Sequence, residues 1–102
     1  MIKAARILVP VNGAPTDDDA LALACETAKR NKSEVFAIYV IEVKRTLPLS
    51  VDLPPEAARG DNVLANAERV SESQGVRIQT ELLQARDVGT AIVDEARSEE
   101  HT

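Results

Sequence analysis

The feature that most constrains this chain is an alternation, met three times, of a short apolar run with a longer segment of helical period. The run Arg6-Ile7-Leu8-Val9-Pro10-Val11, closed by Asn12-Gly13, is continuously apolar at its centre, as in a parallel strand covered on both faces. Pro10 has no N–H to donate and belongs near the end of that strand, where the ladder is finishing. A second buried run extends from about residue 34 to 43 through Val35-Phe36-Ala37-Ile38-Tyr39-Val40-Ile41. In a third, from 76 to 83, Val76, Ile78, Thr80 and Leu82 alternate with more polar neighbours, which predicts an edge strand with one wetter face.

The intervening segments carry helical signals. Thr16 is placed to cap the first helix, with Asp19 reaching back as a variant of the capping box. Asp17, Asp18 and Asp19 put negative charge at the positive end of the helix dipole, and Lys29, Arg30 and Lys32 complement the other end. Leu21, Ala24, Cys25 and Ala28 form one buried stripe. Residues 44–55 read as a loop with Pro48, Pro54 and Pro55, and Leu47, Leu49, Val51 and Leu53 require that loop to pack against something. A second helix is predicted from Pro55 or Glu56 to Gln74, with Val63, Ala67 and Val70 on one face and Gly75 as its C′ stop. Gly60 marks a start or kink within it. After a short turn, Val88, Ala91, Ile92 and Ala96 belong to a third helix. The order β-α-β-α-β-α implies parallel strands joined by right-handed crossovers, an α/β architecture with a parallel sheet.

Composition narrows the function. A chain of 102 residues makes one small domain, residues 1–102, with Phe36 and Tyr39 its only aromatics. Its core must therefore come from Val, Leu, Ile and Ala, and such a core is thin. Seventeen acidic against twelve basic residues give a net charge of −5; that sign and the scarcity of aromatics exclude nucleic acid as a partner. The apolar runs are too short to span a bilayer, so no direct membrane insertion is expected. One cysteine, Cys25, allows no internal disulfide and fits a cytoplasmic setting. Its place on the buried stripe makes it a packed thiol rather than a nucleophile. His101 has no histidine or cysteine companion in its polar terminus, so no metal site is expected. Asp17, Asp18 and Asp19 point to different faces of a helix and suit the dipole better than a cation. Lys44 and Arg45 could meet an anion at the carboxyl end of the second strand, or be solvated loop charges. Neither a nucleophile with its base nor a carboxylate pair stands out, so no enzyme activity is expected.

Together, Arg6-Ile7-Leu8-Val9-Pro10-Val11-Asn12-Gly13, Phe36-Ala37-Ile38-Tyr39-Val40, Gly75-Val76 and Ala91-Ile92-Val93-Asp94-Glu95-Ala96 resemble, in order and spacing, the first three units of the universal stress protein family. The resemblance implies a three-layer α/β sandwich of the adenine nucleotide alpha hydrolase-like kind. Its parallel sheet would have the order 3-2-1-4-5, and it would usually be dimeric. It also implies adenine and ribose contacts at Pro10, Val11, Asn12 and Gly13, after strand one, and at Val40, near the end of strand two. The ligand would be ATP or AMP. Asn12 stands where nucleotide-binding members usually carry aspartate. The family's phosphate-binding glycine stretch follows its fourth strand and has no counterpart here, so strands 3-2-1 are expected and strands four and five are not. The expectation is a C-terminally truncated domain whose first strand needs a neighbour, supplied by the remainder of a longer chain or by a homo-oligomer. The expected role is a non-enzymatic regulatory or interaction module associating through its sheet edge. The alternative is an adenine-nucleotide binder whose phosphate motif lies beyond residue 102. By analogy with family members fused behind membrane transporters, a cytoplasmic regulatory appendage fits the same expectation.

Overall fold

The computed structural model describes residues 5–98. Six elements follow one another: β1 (Arg6–Pro10), α1 (Thr16–Asn31), β2 (Glu34–Glu42), α2 (Pro54–Ser73), β3 (Gln79–Ala85) and α3 (Val88–Ser98). The strands form one sheet in the order β1-β2-β3, and both pairings are parallel, from Arg6↔Glu34 to Pro10↔Ile38 and from Phe36↔Gln79 to Glu42↔Ala85. The local order 3-2-1 and the α/β class are therefore as the sequence predicts.

Each layer follows from the apolar pattern. Val9 of β1 and Val35 and Ala37 of β2 turn toward Leu21, Ala24, Cys25 and Ala28 of α1 and Leu64 and Ala67 of α2, which together make the main core. The opposite face of the sheet carries α3, which packs against all three strands. Phe36 and Ile38 are buried on β2 at 4% and 1% exposure, so β2 is covered on both faces, as its uninterrupted apolar run requires. Cys25 is a fully buried free thiol within the α1 stripe.

Backbone bonds at the two ends of the β1–β2 ladder fix its parity. Glu34 N–H donates to Ala5 C=O at 2.8 Å, and Val11 N–H donates to Ile38 C=O at 2.9 Å. Odd-numbered residues of β1 thus direct their main-chain groups at β2, and even-numbered ones direct theirs away. Pro10 falls on the outward set, where its missing N–H removes nothing from the ladder.

Three local expectations are corrected. Helix α1 has Pro15 at its N-cap with no side-chain cap, so neither Thr16 nor Asp19 caps it; Asp17 has a different role, described below. Strand β3 runs from Gln79 to Ala85 rather than from 76 to 83. Residues 76–78 are used in leaving α2: Gly75 takes φ +78, and Val76 N–H closes on Ser71 C=O at 3.0 Å, as in a Schellman-type stop. The strand reaches Ala85 because β2 continues beside it to Glu42 and Val43 N–H donates to Ala85 C=O at 2.7 Å.

The third correction concerns Gly60 within α2, a helix whose Val63, Ala67 and Val70 face the core as predicted. Its buried positions are Gly60, Leu64, Ala67 and Ser71, a stripe of mostly small residues, with Val63 and Val70 half-buried at its flank. Gly60 neither starts nor ends the helix. A Cβ there would lie 2.5 Å from Leu82 Cδ1 and 2.8 Å from Tyr39 Cδ1, so glycine is what lets α2 settle onto the sheet. The loop over residues 44–53 is also pinned, since Gln84 Nε2 donates to Leu49 C=O at 2.7 Å and to Val51 C=O at 3.0 Å, and Arg86 donates to Lys44 C=O. Leu47, Val51 and Leu53 are half-buried by it, while Leu49 stays 48% exposed. Helix α3 is capped by Asp87, whose carboxylate accepts from Thr90 N–H at 2.8 Å; bonds from Thr90 hold its pKa below the ordinary value.

The Gly60 contact yields a stability prediction. Gly60→Ala gains about 1 kcal/mol of helix propensity but overpacks a site whose typical cost is about 1–3 kcal/mol. The expected net is a lower urea midpoint at unchanged m-value. A midpoint equal to or above that of the parent protein would show that Tyr39 and Leu82 can yield at no cost.

Candidate functional site

The site grows from an inequality of strand lengths. Strand β2 has nine residues and β1 has five, and their ladder ends at Pro10↔Ile38. By parity, Val40 turns its N–H and C=O to the side of β2 that β1 has vacated. The chain leaves β1 through Val11, Asn12 and Gly13, and α3 starts at Val88 on the other face of the sheet. Between them opens a cleft of about 370 Å³ lined by Pro10, Val11, Asn12, Thr16, Asp17, Ala20, Ile38, Val40 and Val88. Its volume and its mixture of aliphatic walls with few polar groups are those of a small-molecule site. It lies at the carboxyl ends of the parallel strands, where open α/β sheets bind ligands.

Four of the five residues singled out from the sequence, Pro10, Val11, Asn12 and Val40, line this cleft. Gly13 faces the other way, into a groove between α1 and α2 that also contains Asn62 and Val63. Its φ is +87, and a Cβ placed on it would lie 3.2 Å from Val63 Cγ2. Turn geometry and packing therefore explain the glycine. Lys44 and Arg45 are exposed and do not line the cleft. His101 lies outside the described residues. A more voluminous hollow, about 480 Å³, sits at the far end of the sheet around Glu68, Glu72, Gly75 and Arg77, away from the carboxyl ends of the strands.

The residue that sequence reasoning missed is Asp17. It is 8% exposed, whereas its neighbours Asp18 and Asp19 are exposed. Its carboxylate accepts from Gly13 N–H at 2.7 Å and from Asn12 N–H at 3.1 Å. Asn12 completes the turn by accepting Ala14 N–H on Oδ1 at 3.0 Å, and it lines the cleft. The loop's two converging amides, a natural anion nest, are thus already filled by an internal carboxylate. In the sequence the three aspartates form one dipole-compensating group. The only hint that one turns inward is its spacing of four and five residues from the Gly13 and Asn12 amides. Asp18 instead accepts from Asn66 Nδ2 at 3.2 Å, tying α1 to α2. Among the described residues, no group of three or more His, Cys, Asp or Glu could hold a metal ion, and no helix is long and apolar enough to cross a membrane.

Comparison with known proteins agrees with this fold. The family model of the universal stress protein family matches residues 3–102. A universal stress protein of Methanocaldococcus jannaschii is 32% identical over 85 residues, and the match covers 78% of this chain and 50% of that protein. The chain therefore spans about half the length of this curated relative. Among solved structures, a universal stress protein family member from Burkholderia pseudomallei superposes with a TM-score of 0.75 at 24% identity, covering 94% of this chain and 75% of its own. One from Archaeoglobus fulgidus, solved in complex with dAMP, gives a TM-score of 0.78 at 17% identity over 96% of this chain and 75% of its own. Another universal stress protein, solved in complex with cAMP, gives 0.64 at 14% identity over 91% and 66%.

The Asp17 contacts predict that Asp17→Ala costs about 1.5–3 kcal/mol, the usual worth of hydrogen bonds to a charged group. Chemical denaturation measures it, and Asp17→Asn should recover part of the loss because its Oδ1 can still accept. A loss below about 0.5 kcal/mol, as at an ordinary surface position, would mean that the loop amides find water equally well.

Proposed function

The chain belongs to the universal stress protein family, and from that premise we propose that it is a non-enzymatic regulatory module whose cleft receives the adenine and ribose of an adenine nucleotide, ATP or AMP. The observation that carries this reading is the outward-turned main chain of Val40 inside the cleft at the end of β1. One N–H and one C=O on a strand edge match the acceptor and donor that adenine presents on its own edge. Pro10, Ile38 and Val88 offer aliphatic walls to the ring, and the Asn12 Nδ2 group can donate to a ribose hydroxyl oxygen. The solved relatives that hold dAMP and cAMP support a nucleotide of this class. What supports a non-enzymatic reading is that Asp17, the one carboxylate among the described residues lining the cleft, is engaged by the loop amides.

The same geometry makes the nucleoside, rather than the phosphates, the source of affinity. With the Asn12 and Gly13 amides filled by Asp17 and the Ala14 amide by Asn12 Oδ1, these three main-chain donors of the first loop are not offered to a phosphate. We take residues 1–102 as one partial domain acting in the cytoplasm.

A second reading, association with protein through the outer edge of β1, is favoured by a separate observation. Leu8 directs its N–H and C=O away from β2, and beside them lies an apolar groove of about 370 Å³ between β1 and α1. An exposed strand edge of this kind is a template for pairing.

Two measurements test these readings. Saturating adenosine, AMP and ATP should each raise the melting temperature; at one hundred times Kd, linkage gives about 2.7 kcal/mol, or roughly 10–20 °C for a domain of this size. The three dissociation constants should agree within about tenfold, a difference of about 1.4 kcal/mol, and Asn12→Ala should weaken all three. No shift with any of them would dispose of the cleft reading. For the edge, the Leu8 amide should show hydrogen-exchange protection that grows with protein concentration, and fast exchange at every concentration would rule it out.

A further inference from the structure

We propose that Asn12-Gly13 is a latent site of covalent self-modification, in which the loop cyclises to a succinimide and reopens as aspartate or isoaspartate, and that Asp17 is the lock that keeps it closed. The proposal is independent of both functional readings above.

The chemistry needs only two adjacent residues and water. The main-chain nitrogen of Gly13 attacks Cγ of Asn12. An N–Cγ bond forms, the Cγ–Nδ2 bond breaks, and ammonia leaves with the proton that Gly13 N–H gives up. Water then adds to one of the two imide carbonyls. One opening gives aspartate; the other gives isoaspartate, with the main chain rerouted through the former side chain. Either product restores the Gly13 N–H and gains a negative charge. Glycine permits the attack because no Cβ shields its nitrogen. The chain has one such pair: Asn31, Asn62 and Asn66 precede Lys32, Val63 and Ala67. Asn62 and Asn66 also lie inside α2, where main-chain N–H groups are committed to the helix. Asn12 and Gly13 are both exposed, so water can enter and ammonia can leave.

What opposes the reaction is the hydrogen bonding of the loop. Asp17 Oδ2 accepts Gly13 N–H at 2.7 Å and Asn12 N–H at 3.1 Å, while Ala14 N–H donates to Asn12 Oδ1 at 3.0 Å. The attacking nitrogen thus has its proton pinned to a carboxylate. That negative charge disfavours the charge that builds on nitrogen as the proton leaves. Cyclisation also deletes the Gly13 N–H outright, stripping Asp17, 8% exposed, of its shortest hydrogen bond, and a stranded interior acceptor is costly. The lock is stiff because Asp17 stands in the first turn of α1, one turn before Leu21, which is fully buried. Its failure is irreversible. Asn12 lines the cleft beside Asp17, so conversion sets a second carboxylate there. Isoaspartate further adds a methylene to the main chain of a turn built on Gly13 at φ +87.

The test uses the full 102-residue chain at neutral pH and constant temperature. Intact mass reports conversion of amide to acid, peptide mapping assigns it to Asn12, and enzymatic methylation counts the isoaspartate. The native parent chain should convert about tenfold or more slower than the same chain in guanidinium chloride, and folded Asp17→Ala about tenfold faster than the native parent, tenfold being the scale of one hydrogen bond to a charged group. Asp17→Asn, which keeps one accepting oxygen, should fall between them, and it replaces Asp17→Ala if circular dichroism finds that variant unfolded. Ile78→Ala weakens the core at the far end of the sheet and should keep the parent's rate while folded. A native parent that converts as fast as the unfolded chain overturns the proposal. So does a folded Asp17 variant no faster than the parent, and a slower one would show the carboxylate taking the proton as a base. Equal acceleration by Ile78→Ala would assign control to global unfolding and remove Asp17 from the account.

Discussion

Strand β2 is hydrogen-bonded along both of its edges, but to neighbours of unequal reach. Its first half is held by β1 and its second half by β3, with only Phe36, Ala37 and Ile38 paired on both sides. That stagger organises the molecule. It leaves Val40 turned toward empty space beside the loop of Asn12 and Gly13, and so creates the cleft without any special motif. Among the described residues β1 is the outer strand of the sheet, with β2 on one side and α1 packed over it.

What holds the stagger in place is close approach of helix to sheet rather than bulky packing. With two aromatic residues in the chain, the core has few large side chains, and α2 compensates by presenting Gly60, Ala67 and Ser71 along its buried stripe. The helix can then lie low enough for Tyr39 and Leu82 to press against its backbone. On α1 the corresponding role falls to Ala24, Cys25 and Ala28, all nearly inaccessible. Small residues make a thin domain dense, which is how a modest amount of apolar surface can still exclude water.

Much of this is legible in the residues themselves. Uninterrupted apolar runs locate β1 and β2, because burial on both faces leaves no room for alternation, and the i, i+3, i+4, i+7 recurrence locates the α1 stripe. Pro10, Val11, Asn12 and Val40 are legible as neighbours through a family resemblance, and the structure brings them to one cleft. Other features are not legible, for definite reasons. The start of β3 depends on how many residues the chain needs to leave α2 after Gly75, which no local pattern encodes. Gly60 reads as a weak point in a helix until its partners on β2 and β3 are known. Asp17 is indistinguishable in composition from Asp18 and Asp19; only the three-dimensional turn of the preceding loop selects it. Where tertiary neighbours decide, period and propensity are silent.

The position of Pro10 has a further consequence for how such a sheet behaves in a crowded solution. Residues Ile7 to Val9 make a stretch that, fully equipped with main-chain donors, could seed indefinite stacking of strands. Placing an imino acid on the outward parity caps that growth at the far end of the strand while leaving the inner ladder whole. Among the described residues the outer side of β1 thus ends on a position without a donor, and the border is shortened by the loss of a single hydrogen atom.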